Sequence, residues 1–100
     1  MTFANIGTLG VVPGRRDELV ALLTRRSDAL ATLGCLFYEV GINQDEPDTV
    51  FVSELWESAE AHRVSLDDES VRAAIAAARP LLSGRMDGLW FDVIGSPLRD

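Results

Sequence analysis

The stretch VFVSELWESAEAH (50–62) begins as an apolar strand and then changes to a helical pattern. Side chains two residues apart in an extended strand point to the same side, so Glu54 and Trp56 share a face with Val50 and Val52. A face that buries two valines is an unusual place for a carboxylate beside an indole. The sequence therefore raises two questions: which fold contains this strand, and what the carboxylate does there.

The segments on either side of this stretch predict three more strands and two longer helices. Alternating apolar residues predict strands over 2–12, 35–42, 50–56 and 89–94. Leucines at three- and four-residue spacing predict one helix over 17–33, and a capping box at 65–68 predicts the start of a second, which ends in a distorted turn at Pro80. Ser58 is predicted to cap a short helical turn before it. This order, β-α-β-β-α-β, is the ferredoxin-like arrangement, an α+β fold in which both helices cover one side of a four-stranded antiparallel sheet.

The composition is that of a single globular domain over 1–100, with 47% hydrophobic and 25% charged residues. A net charge of −7 leaves no basic patch, so nucleic acid is not an expected partner. No apolar stretch approaches the roughly 20 residues that span a bilayer, and the N-terminus lacks the pattern of a signal peptide. Cys35 is the only cysteine, which fits a reducing compartment, so we expect a cytoplasmic protein without a membrane partner.

The predicted strands are apolar on both of their faces. The last strand offers Leu89, Phe91 and Val93 to one side and Trp90 and Ile94 to the other. An exposed sheet face normally alternates with polar residues, and an uncovered apolar patch of this size usually marks an interface. We therefore expect a homodimer that packs sheet against sheet, the alternative being a monomer with an exposed apolar sheet.

Four segments of the chain carry a resemblance to a known family. They are VVPGRRDELVALL (11–23), GCLFYEV (34–40), VFVSELWESAEAH (50–62) and SVRAAIAAARPLLSG (70–84). Together they resemble the antibiotic biosynthesis monooxygenase (ABM) domain, within the dimeric α+β barrel superfamily that also includes small quinol monooxygenases. The Glu-x-Trp at 54–56 is the most specific of these features. The resemblance implies a protomer that pairs into a barrel, with a pocket between its sheet and its helices.

The resemblance also implies monooxygenase chemistry that uses dioxygen without a cofactor. Ground-state dioxygen is a triplet, so without a metal or flavin the substrate itself must donate the electron. Electron-rich phenols and hydroquinones can do so once they are deprotonated. The protein must then bind a small aromatic molecule in a dry pocket, accept a phenolic proton and stabilise the resulting anion.

Three residues of the central stretch are the first candidates for that site. Trp56 would form a stacking wall for a flat aromatic, or else belong to the core. Glu54 would orient a hydrogen-bond donor or act as the base through a raised pKa, or else make a structural hydrogen bond or an ion pair with Arg79 or Arg72. His62, the only histidine, would be the catalytic base on the helical turn that lines the pocket, or else a solvated side chain.

Four more residues are candidates for substrate binding. Asn5, on the first strand, would donate or accept a hydrogen bond at a substrate oxygen, or else be an edge asparagine. Tyr38 and Phe37 point to opposite sides of their strand, so only one of them can face the pocket, and the sequence leaves open which. Arg79 would neutralise a phenolate, or else interact with the helix dipole and with solvent at the end of its helix.

The chain departs from the family in one segment, and two other functions remain open. Many members carry a histidine in the segment that reads VSLDDES (64–70) here, and the axial histidine of haem-degrading relatives falls at Leu66. Haem binding is therefore disfavoured, whereas a non-catalytic module that binds an aromatic ligand or mediates dimerisation fits the same fold.

The chain has no Gly-x-Gly-x-x-Gly after a strand and no Cys/His cluster, so we expect neither a nucleotide cofactor nor a metal.

Overall fold

The computed structural model describes residues 1–99. Its elements, in chain order, are β1 (Thr2–Val11), α1 (Arg16–Leu23), α2 (Asp28–Thr32), β2 (Cys35–Gly41), β3 (Thr49–Trp56), α3 (Ala59–Ser65), α4 (Glu69–Ala78), a 3-10 turn (Arg79–Leu81) and β4 (Leu82–Val93). None of the helices in residues 1–99 has the length and apolarity needed to cross a membrane.

The four strands form one antiparallel sheet in the order β2-β3-β1-β4. Strand β1 lies in the centre, where Asn5 is directly opposite Glu54 on β3 and Trp90 on β4. Residues directly opposite one another in such a sheet point to the same face. The ferredoxin-like α+β fold expected from the sequence is therefore confirmed, and its register places three candidate side chains, Asn5, Glu54 and Tyr38, on one rung.

The core lies between the helices and the face of the sheet that carries Val50 and Val52. Its buried members are Val11, Leu19, Val50, Val52, Ala78 and Leu81. Leu19 of α1 and Ala78 of α4 close over this face, and the first of them is fully buried. At about 25 cal/mol per Å² of apolar surface, burying one leucine stabilises the fold by roughly 2 kcal/mol. This contact fixes α1 and α4 on the same side of the sheet.

The single helix predicted over 17–33 is wrong, because the structure has two helices there. Helix α1 ends at Leu23 and α2 begins at Asp28. The hydroxyl of Thr24 donates to the carbonyl of Val20, and Ser27 is extended at φ −136°. A polar run over 24–27 has no apolar side chain to bury, so the helix breaks although the leucine spacing continues past it.

The capping box predicted at 65–68 is also wrong. Ser65 is the last residue of α3, and its buried hydroxyl donates to the carbonyl of His62 at 2.6 Å. Helix α4 is capped by Asp68, whose carboxylate accepts from the amides of Ser70 at 3.0 Å and Val71 at 3.2 Å. The preceding helix therefore occupies the serine that the motif would have used.

The last strand starts earlier than predicted, at Leu82 rather than residue 89. The distorted turn expected at Pro80 is confirmed as the 3-10 turn. Residues 82–88 lack apolar alternation, but they pair with β1, with Met86 opposite Leu9 and Gly88 opposite Gly7. Pairing with a central strand overrides the weak local pattern.

The other side of the sheet presents apolar residues away from the core; we call it the open face. It carries Ile6, Phe37, Phe51, Leu55, Leu89 and Phe91. Ile6, Phe37, Leu89 and Phe91 are all exposed. The apolar character expected for both faces is thus present in the structure.

Candidate functional site

The site is built around Glu54, which lies on the helix-covered face of β3 and is only partly exposed. The side-chain amide of Asn5 donates to its Oε2 at 3.2 Å. The indole Nε1 of Trp56 donates to its Oε1 at 3.0 Å. Because Trp56 is two residues further along the same strand, the strand geometry itself brings the indole to the carboxylate. Both oxygens of this carboxylate therefore accept hydrogen bonds from neutral groups.

His62 reaches the same site from helix α3. The helix begins at Ser58, whose hydroxyl accepts from the amide of Ala61 at 3.0 Å. The imidazole packs against the rings of Phe3 and Trp56, each with a centroid distance of 5.4 Å. Its Nε2 lies 3.5 Å from the amide nitrogen of Asn5. In the neutral imidazole with Nε2 unprotonated, the amide of Asn5 can donate to this nitrogen and the ring proton lies on Nδ1.

The electrostatics of Glu54 follow from its burial. Desolvation raises the pKa of this carboxyl above its usual range, and the hydrogen bond from Trp56, the charge of His62 and the hydrogen bond from Asn5 partly oppose the rise. A carboxyl with a raised pKa holds its proton closer to neutral pH and is a better base once that proton is lost. Glu54 and His62 are thus two proton-accepting groups, and the side-chain amide nitrogen of Asn5 contacts both of them.

Tyr38 and Cys35 complete the polar groups near this carboxylate. Tyr38 lies opposite Glu54 on β2. Burial, with the charge of Glu54 second, raises the pKa of Tyr38 to about 12. The same two causes, in the same order, raise the pKa of the Cys35 thiol. Both groups are therefore neutral at physiological pH, so the phenol can serve as a hydrogen-bond donor and the cysteine is not a thiolate nucleophile.

A cavity of about 530 Å³ adjoins this cluster. It is lined by Asn5, Ile6, Gly7, Thr8, Leu9, Tyr38, Val52, Glu54, Met86, Asp87 and Gly88. Gly7 and Gly88 face each other across β1 and β4. A Cβ on Gly7 would lie 2.7 Å from the carbonyl oxygen of Asp87, so no side chain fits at that point. The bare backbone of two strands thus forms the floor of the cavity.

The structure brings four of the predicted site residues into contact. Asn5, Glu54, Trp56 and His62 form one cluster through two hydrogen bonds and the 3.5 Å approach of Asn5 to the imidazole. Tyr38 lies on the same face and lines the cavity together with Asn5 and Glu54. Of the two residues between which the sequence left the choice open, Tyr38 lines the cavity and Phe37 does not.

Three expectations do not match the arrangement. Trp56 is 2% exposed and does not line the cavity, because α3 covers it, so its place is the core rather than a wall open to a ligand. Phe37 points to the open face, since the strand register puts it beside Leu55. Arg79 is exposed in the 3-10 turn and does not line the cavity.

The ion pair considered for Glu54 is absent within residues 1–99, where its partners are Asn5 and Trp56. Arg72 instead donates to the carbonyl of Leu66 and to Asp67. No three His, Cys, Asp or Glu side chains of the described chain come together as metal ligands.

Sequence reasoning missed the two glycines of the cavity floor and the environment of Trp90. Glycine inside a strand is a signal of close backbone approach, and Gly7 carried that signal. Gly88 carried no such signal, because the predicted last strand began only at residue 89. Trp90 was placed on the correct strand, but only the register shows that it stands opposite Asn5.

The arrangement agrees with comparisons to known proteins. The family model described as antibiotic biosynthesis monooxygenase matches residues 2–77. A solved structure from Chloroflexus aurantiacus J-10-fl, of a candidate antibiotic biosynthesis monooxygenase, is 34% identical, with a TM-score of 0.79 over 96% of this chain and 97% of that one. A second such candidate, from Caulobacter crescentus CB15, is 23% identical, with a TM-score of 0.82 over 94% and 91%.

Rv0793 from Mycobacterium tuberculosis shares the fold at 20% identity, with a TM-score of 0.74 over 97% of this chain and 99% of that one. No protein of curated function matches the chain. The family match covers more than half of the residues, including the whole Asn5, Glu54, Trp56 and His62 cluster. This chain therefore belongs to the antibiotic biosynthesis monooxygenase family.

Proposed function

We propose that this protein is a cofactor-independent monooxygenase that oxidises a phenolic or quinol-type aromatic substrate with dioxygen. The observation that supports this function best is the contact of Asn5 with both Glu54 and His62 beside a partly apolar cavity. Two proton acceptors beside a partly apolar cavity suit the removal of a phenolic proton. Membership of a monooxygenase family supports the use of dioxygen.

The residues divide the work between accepting a proton and stabilising an anion. Glu54 or His62 takes the hydroxyl proton of the substrate, and Asn5 holds the two side chains in position through its contacts with both. Tyr38 donates a hydrogen bond to the substrate oxygen as negative charge develops there. The electron-rich anion then reduces dioxygen directly. One oxygen atom enters the ring as a carbonyl, and the other leaves as water with the one hydrogen that the ring carbon loses and the phenolic proton, so no external reductant is needed.

The proposal includes a homodimer formed through the open face. Ile6, Leu89 and Phe91 are exposed on a sheet whose other side is already packed. Apolar surface of this extent is stabilised by covering it, and a second copy of the same face is a self-complementary partner.

A second candidate is a module that binds an aromatic metabolite without chemistry. The observation that favours it is that both oxygens of Glu54 already accept hydrogen bonds from the protein. In this second function the carboxylate serves to orient Asn5 and Trp56.

Oxygen uptake distinguishes the two functions. The chelator-treated protein is mixed with a panel of polycyclic hydroquinones, and each rate is corrected for autoxidation. We expect protein-dependent uptake that falls at least tenfold in Glu54→Gln and in His62→Ala, since one acid–base group typically contributes about 10²–10⁴-fold.

Glu57→Gln is the matched control, because Glu57 is an exposed carboxylate just beyond the same strand. Its uptake should equal that of the unaltered protein. Uptake at the autoxidation rate, together with saturable quenching of tryptophan fluorescence by the same ligands, would leave the binding module as the function.

A further inference from the structure

We infer that Trp90, not Trp56, supplies the aromatic wall of the substrate site, against which a flat ring system of the substrate packs. This inference rests on the proposed function, because it concerns how that site holds its substrate. It assigns a role to a side chain that neither the catalytic cluster nor the core uses.

Trp90 stands on the rung of the sheet that holds the catalytic cluster. It is directly opposite Asn5, which is in turn directly opposite Glu54. The three side chains therefore point to the same, helix-covered face. The next same-face rung along the β1–β4 ladder is the glycine pair of the cavity floor. Trp90 is not one of the residues that line the cavity, but it stands directly opposite one of them, Asn5, and two residues along β4 from another, Gly88.

The two tryptophans differ in what surrounds them. Trp56 is 2% exposed and its N–H is bonded to Glu54, so it has neither surface nor donor left for a ligand. Trp90 is 70% exposed and touches the ring of Phe3, with centroids 6.0 Å apart. That contact holds one side of the indole and leaves most of its surface open. An exposed indole of this size is stabilised when a flat apolar ring covers it.

The floor beside Trp90 explains the preference for a flat substrate. Gly7 and Gly88 carry no side chain, and Met86 stands on the far side of Gly88 with 68% of its surface exposed. Trp90 and Met86 are four residues apart on one strand, which separates their Cα atoms by about 13 Å and accommodates about two to three fused rings. A ring system lying over the glycines would meet the indole at one end and the thioether at the other, with Asn5 and Tyr38 beside it.

Single-tryptophan variants test the inference directly. Trp56→Phe retains only Trp90, and Trp90→Phe retains only Trp56. The probe is 1,8-dihydroxyanthraquinone, a stable tricyclic phenol, added with correction for its own absorbance. We expect saturable quenching in Trp56→Phe and much weaker quenching in Trp90→Phe.

Loss of the wall should also weaken binding. Trp90→Ala is expected to raise the Kd for the probe about tenfold by calorimetry, because stacking on one aromatic side chain contributes on that order. Phenol, a single ring, should show less than a threefold change, since it does not reach across the floor. Ile94→Ala is the matched control, an exposed apolar residue just beyond the same strand, and should leave both affinities unchanged.

Two results from the binding experiments would overturn the inference. One is an unchanged Kd for the probe in Trp90→Ala. The other is protection of Trp90 from acrylamide quenching in ligand-free Trp56→Phe, which would mean that a partner subunit already covers the indole.

Oxygen uptake keeps this inference separate from the proposed function. A protein that consumes no oxygen but binds the probe through Trp90 would refute the monooxygenase and keep the aromatic wall. Uptake whose KM is unchanged in Trp90→Ala would refute the wall and keep the monooxygenase.

Discussion

Glu54 combines two properties that rarely occur together. Its oxygens are hydrogen-bonded as in a structural carboxylate, yet burial raises its pKa as in a catalytic one. The donors are the amide of Asn5 and the indole of Trp56, neither of which carries a charge. An arginine in their place would lower the pKa and remove the base. Burial is therefore what raises its proton affinity, and within residues 1–99 no ion pair to Glu54 cancels that rise.

Tyr38 offers a direct test of the electrostatics on this face. It is the only tyrosine, so the absorbance change of phenolate formation reports on one group. Because burial and Glu54 raise its pKa to about 12, we expect the folded protein to titrate well above the ordinary value of about 10 found after unfolding in guanidinium. A folded-state titration near 10 would contradict the burial of this phenol.

The same shift has a consequence for stability. A raised pKa in the folded state means that the neutral phenol is favoured there. This preference for the neutral phenol of Tyr38 contributes to the free energy of unfolding in full below pH about 10, and the contribution is lost as the pH rises towards 12. Tyr38→Phe should remove this pH dependence in that window, as measured by denaturant unfolding.

At the scale of single residues, the sequence predicted which side chains share a face but not which are covered. Strand alternation placed Glu54 and Trp56 on one face, whereas Asn5 was assigned only to the first strand and the choice between Tyr38 and Phe37 was left open. Trp56 is buried because α3 passes over it, and the position of α3 depends on tertiary packing rather than on any local pattern.

At the scale of the elements, α3 matters because it delivers His62 to a site otherwise made of strands. The helix has only seven residues, so its ends contribute much of its stability. Ser58 closes its first turn by accepting the Ala61 amide. The cap and the packing of His62 against Phe3 and Trp56 therefore hold the imidazole in place together.

Removal of this cap should affect the site as well as the fold. Ser58→Ala is expected to cost about 1 kcal/mol of stability and to loosen α3. It should therefore lower the kcat/KM of quinol oxidation and shift the NMR resonances of His62. Asp68→Ala is the matched control, since it removes the cap of α4 instead. Equal effects of both variants on the His62 resonances would show that α3 does not depend on its own cap.

The glycine floor allows a second test, on the sheet. Gly7→Ala places a Cβ 2.7 Å from a backbone oxygen, so β1 and β4 must separate, at a cost on the order of 1–3 kcal/mol. Gly41→Ala is the control, in a strand position where nothing lies within 4 Å, and should be neutral or slightly stabilising. Thermal unfolding compares the two, and similar melting temperatures would contradict the close approach of the strands.

The element boundaries show where local patterns were insufficient. The leucine spacing over 17–33 was real, but a helix also needs a continuous surface to bury, which the polar run at 24–27 lacks. The first half of β4 has little apolar alternation and is held by its pairing with β1. Boundaries of both kinds depend on partners distant in the sequence.

At the scale of the whole molecule, the open face sets the expected assembly. We expect a dimer by light scattering at micromolar concentration. Leu89→Asp should convert it to a monomer, because a charge buried between two apolar sheets is strongly unfavourable. Leu98→Asp is the control, an exposed apolar residue outside the sheet. A monomer in the unaltered protein would contradict the dimer directly.

The whole fold was more predictable than its details. Alternation in four segments, glycines and prolines between them, and helical spacing in two regions were enough for the ferredoxin-like order. These signals are carried by the chain itself, since each reflects which side chains must leave water. The cavity was not predictable, because it depends on which backbones approach closely across β1 and β4.

The position of β4 at the edge of the sheet bears on how the protein behaves when concentrated. The strand has 12 residues, and no other strand of residues 1–99 pairs with its outer side. Its free amides and carbonyls are a template on which a strand of another molecule can add. Arg85, Asp87 and Asp92 interrupt its apolar residues with charges of both signs, and charges at an edge oppose such addition. Replacing them with apolar residues would therefore favour the addition of strands from other molecules.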